Sequence, residues 1–356
     1  MTAQRILICL HDFSRGGTER IALGLAASWS EAGREVTILC GNLDGGLRGS
    51  VVESVKVEPL DPPVRRGVFS RRRLGRAMGR RLSLLRPDVI FLPGNYHALL
   101  ANPLRRADPH PVIVLKISNP PVPQGVPLAG VVFRRITAAV DGFAAMNSGL
   151  ARELEAMLPG RNVATLHDPA YVRSEPSALR RKRRHELLWI GRLEPQKDPL
   201  LALKTMLALG KSVHLTMLGE GSLRPDVERQ IAALNLQSRV TVMGHVARIE
   251  SHLASADALL ITSQFEGGPA VAVEALAMDV PVISTDCSYL LHDLLTTPES
   301  GKIVGTRDPL DLAAAVLEVC GRARDPDGLR ALAAPFEPEA RAKAYLDWFD
   351  QLTGHG

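Results

Sequence analysis

Short apolar runs alternate with longer segments of helical hydrophobic spacing along most of this chain of 356 residues. In the first half, strands are predicted at residues 5–10, 35–40, 51–58, 88–92, 112–115 and 142–146. Helices are predicted at residues 18–30, with Gly33 after the end, and at the basic stretch 70–85. Strands and helices that alternate in this way form parallel sheets with right-handed crossovers, so the pattern predicts an α/β fold.

The alternation breaks at residues 168–184, where Asp-Pro and Glu-Pro steps precede five consecutive basic residues. A second run starts at residues 187–191 and continues to about residue 333, and residues 338–352 form a last helix. Because the chain is too long for one compact core, we predict domains at 1–168 and 185–336 with a linker at 169–184. Two doubly wound domains of this kind place the expected ligand site in a cleft between them.

Composition is ordinary for a globular protein, with 46% hydrophobic and 23% charged residues. No apolar run approaches the roughly 20 residues that span a bilayer. The N-terminal apolar run stops at His11, so it is interpreted as a first buried strand and not as a signal peptide. The cysteines are scattered without metal-ligand spacing, which indicates a reducing cytoplasm and no disulfides: Cys9, Cys40, Cys287 and Cys320.

Charge is distributed unevenly along the chain. The net charge is +9 over residues 1–165, +4 over residues 166–184 and −8 over residues 185–356. A basic N-terminal half indicates an anionic partner, such as a membrane surface or a phosphorylated lipid. Aromatic residues make up only 4% of the chain, which weighs against base stacking, so no nucleic-acid partner is expected.

The strongest concentration of positive charge lies between residues 65 and 81, and Arg105-Arg106 and Arg134-Arg135 extend it. Within this stretch and directly after it, apolar residues recur at helical spacing beside the arginines: Leu74, Met78, Leu82 and Leu85. The pattern fits an interfacial helix on anionic lipid, and it fits equally a domain helix with a solvated basic face. We expect a protein that associates with the inner face of the plasma membrane.

Two carboxylates bracket a glycine-rich turn in the segment Glu266-Gly-Gly-Pro-Ala-Val-Ala-Val-Glu274. An apolar strand at residues 258–262 precedes the turn and a helix follows it, so free backbone N–H groups point away from the strand end. Glu266 lies at the mouth of the turn and accepts hydrogen bonds from hydroxyl groups. Glu274 is expected about two turns into the helix and on the same side. Two acidic groups on one face suit a ligand that carries several diols.

Cations and glycines follow the first strand of each predicted domain. Arg192 and Lys197 come directly after the strand at 187–191, where both side chains can hold a diphosphate. Gly16 and Gly17 follow the strand at 5–10, where glycine lets the backbone approach a ligand closely before a helix begins. Asp325-Pro-Asp327 is interpreted as a polar turn and not as a metal site.

These segments together resemble glycosyltransferase family 4, whose retaining enzymes have the GT-B fold of two doubly wound Rossmann-like domains. The Glu266–Glu274 segment resembles the family's Glu–seven residues–Glu motif, and Gly191-Arg192…Lys197 resembles its Gly-Arg…Lys segment. The resemblance implies that Glu266, Arg192 and Lys197 are catalytic. It also implies a set of donor-binding residues: Gly16, Gly17, Gly219, Gly244, His245, Val246, Gly267, Gly268, Pro269, Ala270 and Glu274.

Family 4 members often carry a histidine after the fifth N-terminal strand, near the sugar. Here that stretch contains Ser118 and Asn119 instead, which can donate hydrogen bonds to a sugar. His97, after the fourth strand, is the nearest histidine in type and place. These three residues are candidate sugar or acceptor contacts.

The resemblance implies transfer of a sugar from a nucleotide-sugar donor, with a UDP-sugar favoured by the run Ser284-Thr-Asp-Cys287. It implies a glycan or polyprenyl-diphosphate-linked acceptor, a tail helix at 337–356 that returns to the N-terminal domain, and no metal or cofactor. Two alternatives remain open, a GT-B sugar-nucleotide epimerase and a basic adaptor that binds anionic polymer. The acidic motif argues against the first, and the intact Arg192, Lys197, Glu266 and Glu274 argue against the second.

Overall fold

A computed structural model describes residues 2–67, 70–122, 128–170, 185–246 and 248–354. The chain divides into two compact units. Unit 1 comprises Met1–Pro169 and Pro338–Gly356, and unit 2 comprises Ala170–Glu337. The predicted linker at 169–184 lies, from residue 171 onward, outside the described residues.

Strands and helices alternate in both units. The strands are β1 (Arg5–Leu10), β2 (Glu35–Cys40), β3 (Lys56–Pro59), β4 (Val89–Leu92), β5 (Val112–Ile117), β6 (Gly142–Ala145), β7 (Asn162–Thr165), β8 (His185–Ile190), β9 (Val213–Leu218), β10 (Val240–Gly244), β11 (Ala258–Ile261), β12 (Val282–Thr285) and β13 (Gly301–Val304). The helices are α1 (Gly17–Glu31), α2 (Ser70–Gly79), α3 (Leu82–Leu85), α4 (Ala98–Ala107), α5 (Ala129–Ile136), α6 (Ser148–Met157), α7 (Pro199–Ala208), α8 (Arg224–Ala233), α9 (Glu250–Leu253), α10 (Ala270–Ala277), α11 (Tyr289–Leu294), α12 (Pro309–Cys320), α13 (Pro326–Ala333) and α14 (Pro338–Gly354).

Each unit is built on one parallel sheet. The strand order is β3-β2-β1-β4-β5-β6-β7 in unit 1 and β10-β9-β8-β11-β12-β13 in unit 2. Central strands such as Val89–Leu92 are buried along their whole length, because helices cover both faces of a parallel sheet. The α/β prediction is confirmed.

The strand order places a switch point in each sheet, where the chain changes the direction in which it adds strands. This point lies between β1 and β4 in unit 1 and between β8 and β11 in unit 2. Loops that leave the carboxyl ends of two such neighbouring strands diverge and leave a crevice for a ligand. The predicted Arg192–Lys197 and Glu266 segments follow β8 and β11, respectively.

The C-terminal helix α14 completes the core of unit 1. Tyr345 and Phe349 pack around Trp29 of α1, with ring centroids 5.7 and 5.2 Å from that of Trp29. Phe91 of β4 meets Trp29 edge-on at 5.2 Å. Asp350 adds polar contacts, since it accepts a hydrogen bond from the Ala3 backbone N–H at 2.7 Å. The tail therefore belongs structurally to the unit that contains the N-terminus.

The basic stretch 70–85 forms two helices, α2 and α3. The apolar residues that recur at helical spacing face inward, whereas Leu84 is exposed. Leu74, Met78 and Leu82 are buried in the core of unit 1 and Leu85 packs against it. The interpretation that these residues form a lipid-facing surface is therefore wrong. The alternative, a domain helix with an exposed basic face, describes α2. A hydrophobic stripe beside arginines has the same spacing in both cases, so only the packing distinguishes them.

Two further predictions differ from the structure. The strand predicted at 51–58 is shorter, since β3 covers only Lys56–Pro59. The strand β7 at Asn162–Thr165 was not predicted, because it is short and half exposed at the edge of the sheet and lacks a continuous apolar run.

Candidate functional site

Three hydrogen bonds through Gln196 and Gln264 help to join the loops after β8 and β11 in unit 2. The Gln264 N–H donates to the Gln196 carbonyl at 2.7 Å, and the Gln196 side-chain amide donates to the Phe265 carbonyl at 3.0 Å. The Gln264 amide donates to the Pro195 carbonyl at 3.0 Å. Side chains 69 positions apart in sequence are thereby held next to each other.

Lys197 and Glu266 form an ion pair where these two loops meet. The Ser263 hydroxyl donates to the same carboxylate oxygen of Glu266 at 2.6 Å. The side chains of Lys197 and Glu266 are only 19% and 9% exposed, so the pair is partly shielded from water. The Glu266 N–H donates to the Cys287 carbonyl at 2.7 Å, which fixes the backbone as well. The carboxylate and the ammonium are thus pre-positioned at the switch point of unit 2.

Arg192 lies at the exposed edge of the same loop. Its guanidinium is 3.4 Å from the Gln196 side-chain oxygen, a long contact, and within the described ranges it forms no ion pair. A guanidinium without a carboxylate partner is available to bind two oxygens of an anion. The site therefore contains one accessible cation, Arg192, beside one cation that is already paired, Lys197.

Arg307 also connects the two loops. The sequence analysis did not predict this residue as part of the site. Its guanidinium donates to the Ser263 carbonyl at 2.8 Å, the Thr262 carbonyl at 3.0 Å and the Asp198 carboxylate at 2.6 Å. Asp198 adjoins Lys197, and Ser263 holds Glu266 through its hydroxyl. One side chain thus sets the spacing between the backbone segments that carry the ion pair. No local motif marks it, because it follows β13 and lies 44 positions after Ser263.

Thr262 provides a second connection between these loops. Its hydroxyl lies 3.1 Å from the Lys197 carbonyl and 2.8 Å from the Asp198 carbonyl, and it accepts a hydrogen bond from the Trp189 indole at 2.9 Å. Asp198 in turn caps α7 through a hydrogen bond from the Leu201 N–H. The positions of the Lys197 and Glu266 backbones therefore depend on a continuous network of hydrogen bonds.

We expect Arg307→Ala to lower kcat about tenfold and the free energy of unfolding by about 1–3 kcal/mol, because three hydrogen bonds between the loops are lost. Arg307→Lys keeps the charge but cannot reach three acceptors, so it should restore stability more than turnover. Turnover measured well below the unfolding temperature, with kcat and KM determined separately, distinguishes positioning from simple stability. Wild-type kcat in Arg307→Ala would contradict this role.

The turn that follows Glu266 leads into α10. Gly267, Gly268 and Pro269 precede the helix, and no side chain caps its first turn, so the first N–H groups of α10 are suited to an anion. Glu274 is the fifth residue of α10, little more than one turn from its start, and Glu266 lies outside the helix. The prediction that Glu274 lies two turns into the helix is therefore wrong, because it counted the turn residues as helical.

The glycines predicted near the nucleotide are required by the backbone. Gly219 has φ +146°, and a Cβ there would lie 1.8 Å from the Gly191 carbonyl oxygen, so this glycine lets the loops after β8 and β9 approach closely. Gly244, at the end of β10, has φ +76°. His245 is exposed beside it, and Val246 packs partly against the core. These residues end neighbouring strands on the β8 side of the switch point.

In unit 1, Gly16 and Gly17 begin α1 and differ in their surroundings. A Cβ on Gly16 would lie 2.2 Å from a Glu19 carboxylate oxygen, whereas a Cβ on Gly17 would meet open space. Glu19 and Asp12 both accept hydrogen bonds from Arg66, at 2.9 Å. Burial raises the pKa of Asp12, but hydrogen bonds from Arg66 and Ser14 outweigh it and lower the pKa to about 2. Gly16 thus makes room for a side chain, and Gly17 is open to a ligand.

His97, Ser118 and Asn119 lie at the carboxyl ends of β4 and β5 in unit 1. The Asn95 side chain links them, since it accepts from the Ser118 N–H and donates to the Asn119 carbonyl, both at 2.9 Å. Burial lowers the pKa of His97 to about 4, helped by the nearby charges of Arg66 and Arg71. The imidazole is therefore neutral at pH 7 and able to accept a hydrogen bond.

Two sequence families match this chain. The family described as glycosyl transferases group 1 matches residues 184–322, and the glycosyl transferase 4-like domain matches residues 16–185. Together they cover both units.

The chain is similar in sequence to an enzyme of Campylobacter jejuni named GalNAc-alpha-(1->4)-GalNAc-alpha-(1->3)-diNAcBac-PP-undecaprenol alpha-1,4-N-acetyl-D-galactosaminyltransferase. Identity is 30% over 131 residues, which are 36% of this chain and 36% of that protein. Other curated relatives are likewise matched over only 27% to 44% of their own length.

Solved structures resemble the chain over nearly its full length. The apo form of the lipopolysaccharide outer core galactosyltransferase WaaB has a TM-score of 0.78 and 18% identity, over 95% of this chain and 98% of that one. HepE of Anabaena in complex with UDP has a TM-score of 0.73 and 15% identity, over 99% and 98%. At these identities the structures show the fold alone, which is GT-B. With the two family matches, they establish that the chain belongs to the GT-B glycosyltransferases of the family 4 type.

Proposed function

We propose that this protein transfers a sugar from a nucleotide-sugar donor to a glycan or polyprenyl-diphosphate-linked acceptor, with retention of anomeric configuration, in cell-surface polysaccharide assembly. The observation that carries the proposal is the shielded Lys197–Glu266 pair beside the accessible Arg192, at the switch point of unit 2. In this proposal, unit 2 binds the donor and unit 1 binds the acceptor.

The two cations stabilise the leaving group. Arg192 and Lys197 neutralise the departing nucleoside diphosphate, and the first N–H groups of α10 add a further positive field. Glu266 accepts a hydrogen bond from a hydroxyl of the donor sugar, and Glu274 is assigned to the ribose hydroxyls. This arrangement stabilises charge that develops in the transition state, which is the largest contribution that a preorganised site makes.

The reaction breaks the bond between the anomeric carbon and the phosphate oxygen and forms a bond from that carbon to the acceptor oxygen. The acceptor attacks on the face from which the phosphate departs, and the acceptor proton passes to the departing phosphate oxygen. No enzyme nucleophile is needed, so the protein positions the reactants and stabilises charge. Ser118, Asn119 and the neutral His97 are assigned to sugar or acceptor contacts in unit 1.

UDP is the favoured nucleotide and a lipid-linked glycan the favoured acceptor. The Ser284–Cys287 run supports a UDP-sugar, and a structural neighbour was solved in complex with UDP. The Campylobacter relative's name specifies a diphospho-undecaprenol acceptor. Both assignments are proposals for this chain.

Nucleotide binding tests the proposal. Calorimetry with UDP, GDP and ADP should show one preferred nucleotide, and the corresponding sugar nucleotides should identify the donor. NMR of the product's anomeric proton then determines whether configuration is retained. A protein that binds none of the three nucleotides would be an adaptor, and inversion at the anomeric carbon would refute the mechanism.

We expect transfer to continue in excess chelator at a rate within about twofold of the untreated enzyme. Arg192 and Lys197 supply the positive charge that a divalent cation provides in other transferases. Activity is measured after dialysis against EDTA and again after Mg²⁺ or Mn²⁺ is restored. Loss of activity that either ion reverses would show that a metal stabilises the leaving group.

We also propose that unit 1 binds the inner face of the plasma membrane through its basic surface. The exposed side of α2 and the residue that follows the helix carry arginines that form no ion pair within the described ranges: Arg72, Arg76 and Arg80. Among the described residues, no helix combines the length and apolar character that crossing a bilayer requires. Association at the surface would bring the enzyme to a lipid-linked acceptor.

A further inference from the structure

Helix α5 exposes an apolar stripe to solvent. Leu128, Val131 and Val132 are 74%, 46% and 55% exposed, and Arg135 is exposed beyond them. Leu128 directly precedes the helix as its N-cap, and Val131 and Val132 lie in its first turn, so the stripe begins just before α5 and continues onto its exposed side. Phe133, on another side of α5, is buried in the core of unit 1 and anchors the helix. A helix whose only role is to cover the sheet would carry polar residues on this outer face.

Cations follow this stripe along the helix. Arg134 and Arg135 lie in the last turn of α5, and neither forms an ion pair within the described ranges. The Arg135 carbonyl accepts a hydrogen bond from the Asn102 side chain of α4 at 3.0 Å. Asn102 also lines a groove of about 740 Å³ between α2 and α4, so the stripe and the groove are neighbours.

The groove presents four arginines. Gly75 and Gly79 of α2 pack directly on Pro103 and Ala107 of α4, and a Cβ on Gly79 would lie 2.8 Å from that of Ala107. This close approach leaves long side chains on both sides of a shallow floor, and none of them forms an ion pair in the part of the chain that the structure describes: Arg72, Arg76, Arg80 and Arg106.

We propose that α5 is the element that enters the membrane: its apolar stripe inserts into the headgroup and acyl boundary of an anionic bilayer while the surrounding arginines bind lipid phosphates. This role rests on the membrane association proposed above. The apolar residues of α2 are buried, so the lipid-contacting residues are those of α5. Apolar side chains flanked by cations are the combination that favours an anionic lipid surface.

The positive charge around the stripe favours an anionic bilayer as its partner over a second copy of the chain. A symmetric dimer through this face would place the same arginines of both copies opposite each other, on domains of net charge +9 each over residues 1–165. Three apolar side chains are also too few for the core of a standard protein interface. An anionic bilayer complements the charge and accepts a small apolar stripe.

A fluorophore at position 132 tests insertion directly. Val132→Cys labelled with an environment-sensitive dye should brighten and shift to shorter wavelength when phosphatidylglycerol vesicles are added to the full chain. Leu317→Cys, exposed on α12 of unit 2, is the matched control and should not respond. Burial raises the pKa of all four native thiols, Cys9, Cys40, Cys287 and Cys320, so an introduced exposed thiol labels preferentially at neutral pH.

Two pairs of variants separate the apolar and charged contributions in vesicle co-sedimentation. Val131→Ser with Val132→Ser should lower partitioning about tenfold at every salt concentration. Arg134→Ser with Arg135→Ser should lower it about 10- to 30-fold at low salt and little at high salt, because screening removes the charge term. Both double variants should bind UDP with the same affinity as the wild type.

The outcomes distinguish this proposal from the proposed function. Wild-type protein that binds UDP and sediments with anionic vesicles while the label at 132 stays silent would overturn the role of α5. Equal partitioning of the Val131/Val132 variant and the wild type would do the same. Formation of a dimer that the Val131/Val132 variant loses would show that the stripe is a protein interface. Failure to bind any nucleotide would instead refute the transferase assignment.

Discussion

Glu266→Gln is expected to lower kcat about 10²- to 10³-fold while leaving UDP affinity equal to or tighter than that of the wild type. In the proposed mechanism, Glu266 accepts a hydrogen bond from the reacting sugar. Glutamine keeps one acceptor oxygen but loses the negative charge, and loss of one such preorganised partner costs about 2.7–4 kcal/mol in the transition state. The same change releases Lys197 from its ion pair, so the ammonium becomes free for the diphosphate. Opposite effects on turnover and on affinity are the signature of this residue.

Steady-state kinetics and calorimetry with UDP measure the two effects separately. Glu228→Gln is the control, because this carboxylate forms an exposed pair with Arg224 on α8 and contributes little to stability. It should keep both kcat and UDP affinity. Near-wild-type turnover of Glu266→Gln, or of Glu266→Ala, would remove Glu266 from the chemistry.

Arg192→Ala and Lys197→Ala are each expected to weaken UDP binding about 10- to 100-fold. Hydrogen bonds to charged groups are worth about 1.5–3 kcal/mol, and in the proposed mechanism both cations bind one diphosphate. The double variant should therefore lose less than the sum of the two. Lys197→Ala additionally leaves the mostly buried Glu266 carboxylate without its cation, which disfavours an anionic ligand. Arg192→Lys should recover only part of the affinity, because an ammonium cannot bind two oxygens as a guanidinium does.

Calorimetry of the single and double variants decides this prediction. Arg229→Ala is the control, since Arg229 lies on α8 and pairs only with Asp226 within the described ranges. It should bind UDP like the wild type. Full additivity would show that Arg192 and Lys197 bind separate groups, and unchanged affinity in both single variants would place the diphosphate elsewhere.

The secondary structure could be predicted well wherever a strand is buried on both faces. The predictions at 5–10 and 35–40 coincide with β1 and β2, because a continuous apolar run between turn residues has few other interpretations. The edge strands β3 and β7 were misplaced or missed, since their burial is partial and their pattern weak. Two sheets and an α/β fold follow from the alternation alone.

Only those residues of the candidate site that belong to short sequence motifs could be predicted. Arg192, Lys197 and Glu266 stand at strand ends beside glycines, and the structure brings all three to one edge of the unit 2 sheet. That Lys197 pairs with Glu266 could not be predicted, because the two lie on different loops. Arg307 and Thr262 act through backbone carbonyls, which carry no residue identity, so no sequence pattern marks them. Whether these residues perform the proposed chemistry stays a prediction for the experiments above.

The sequence by itself determined the α/β class, the alternation of strands and helices apart from the edge strands β3 and β7, and the segments of the candidate site, because hydrophobic period and turn residues act over short distances. Only the tertiary structure decided which surfaces are available. The apolar face of α2 is buried in the core, whereas Leu128, directly before α5, and Val131 and Val132 within it remain exposed. Both helices have apolar residues near arginines, and the sequence pattern alone does not show which apolar stripe packs against the protein core. Packing assigns one stripe to the core and leaves the other to solvent, since burial depends on neighbours that are distant in the chain.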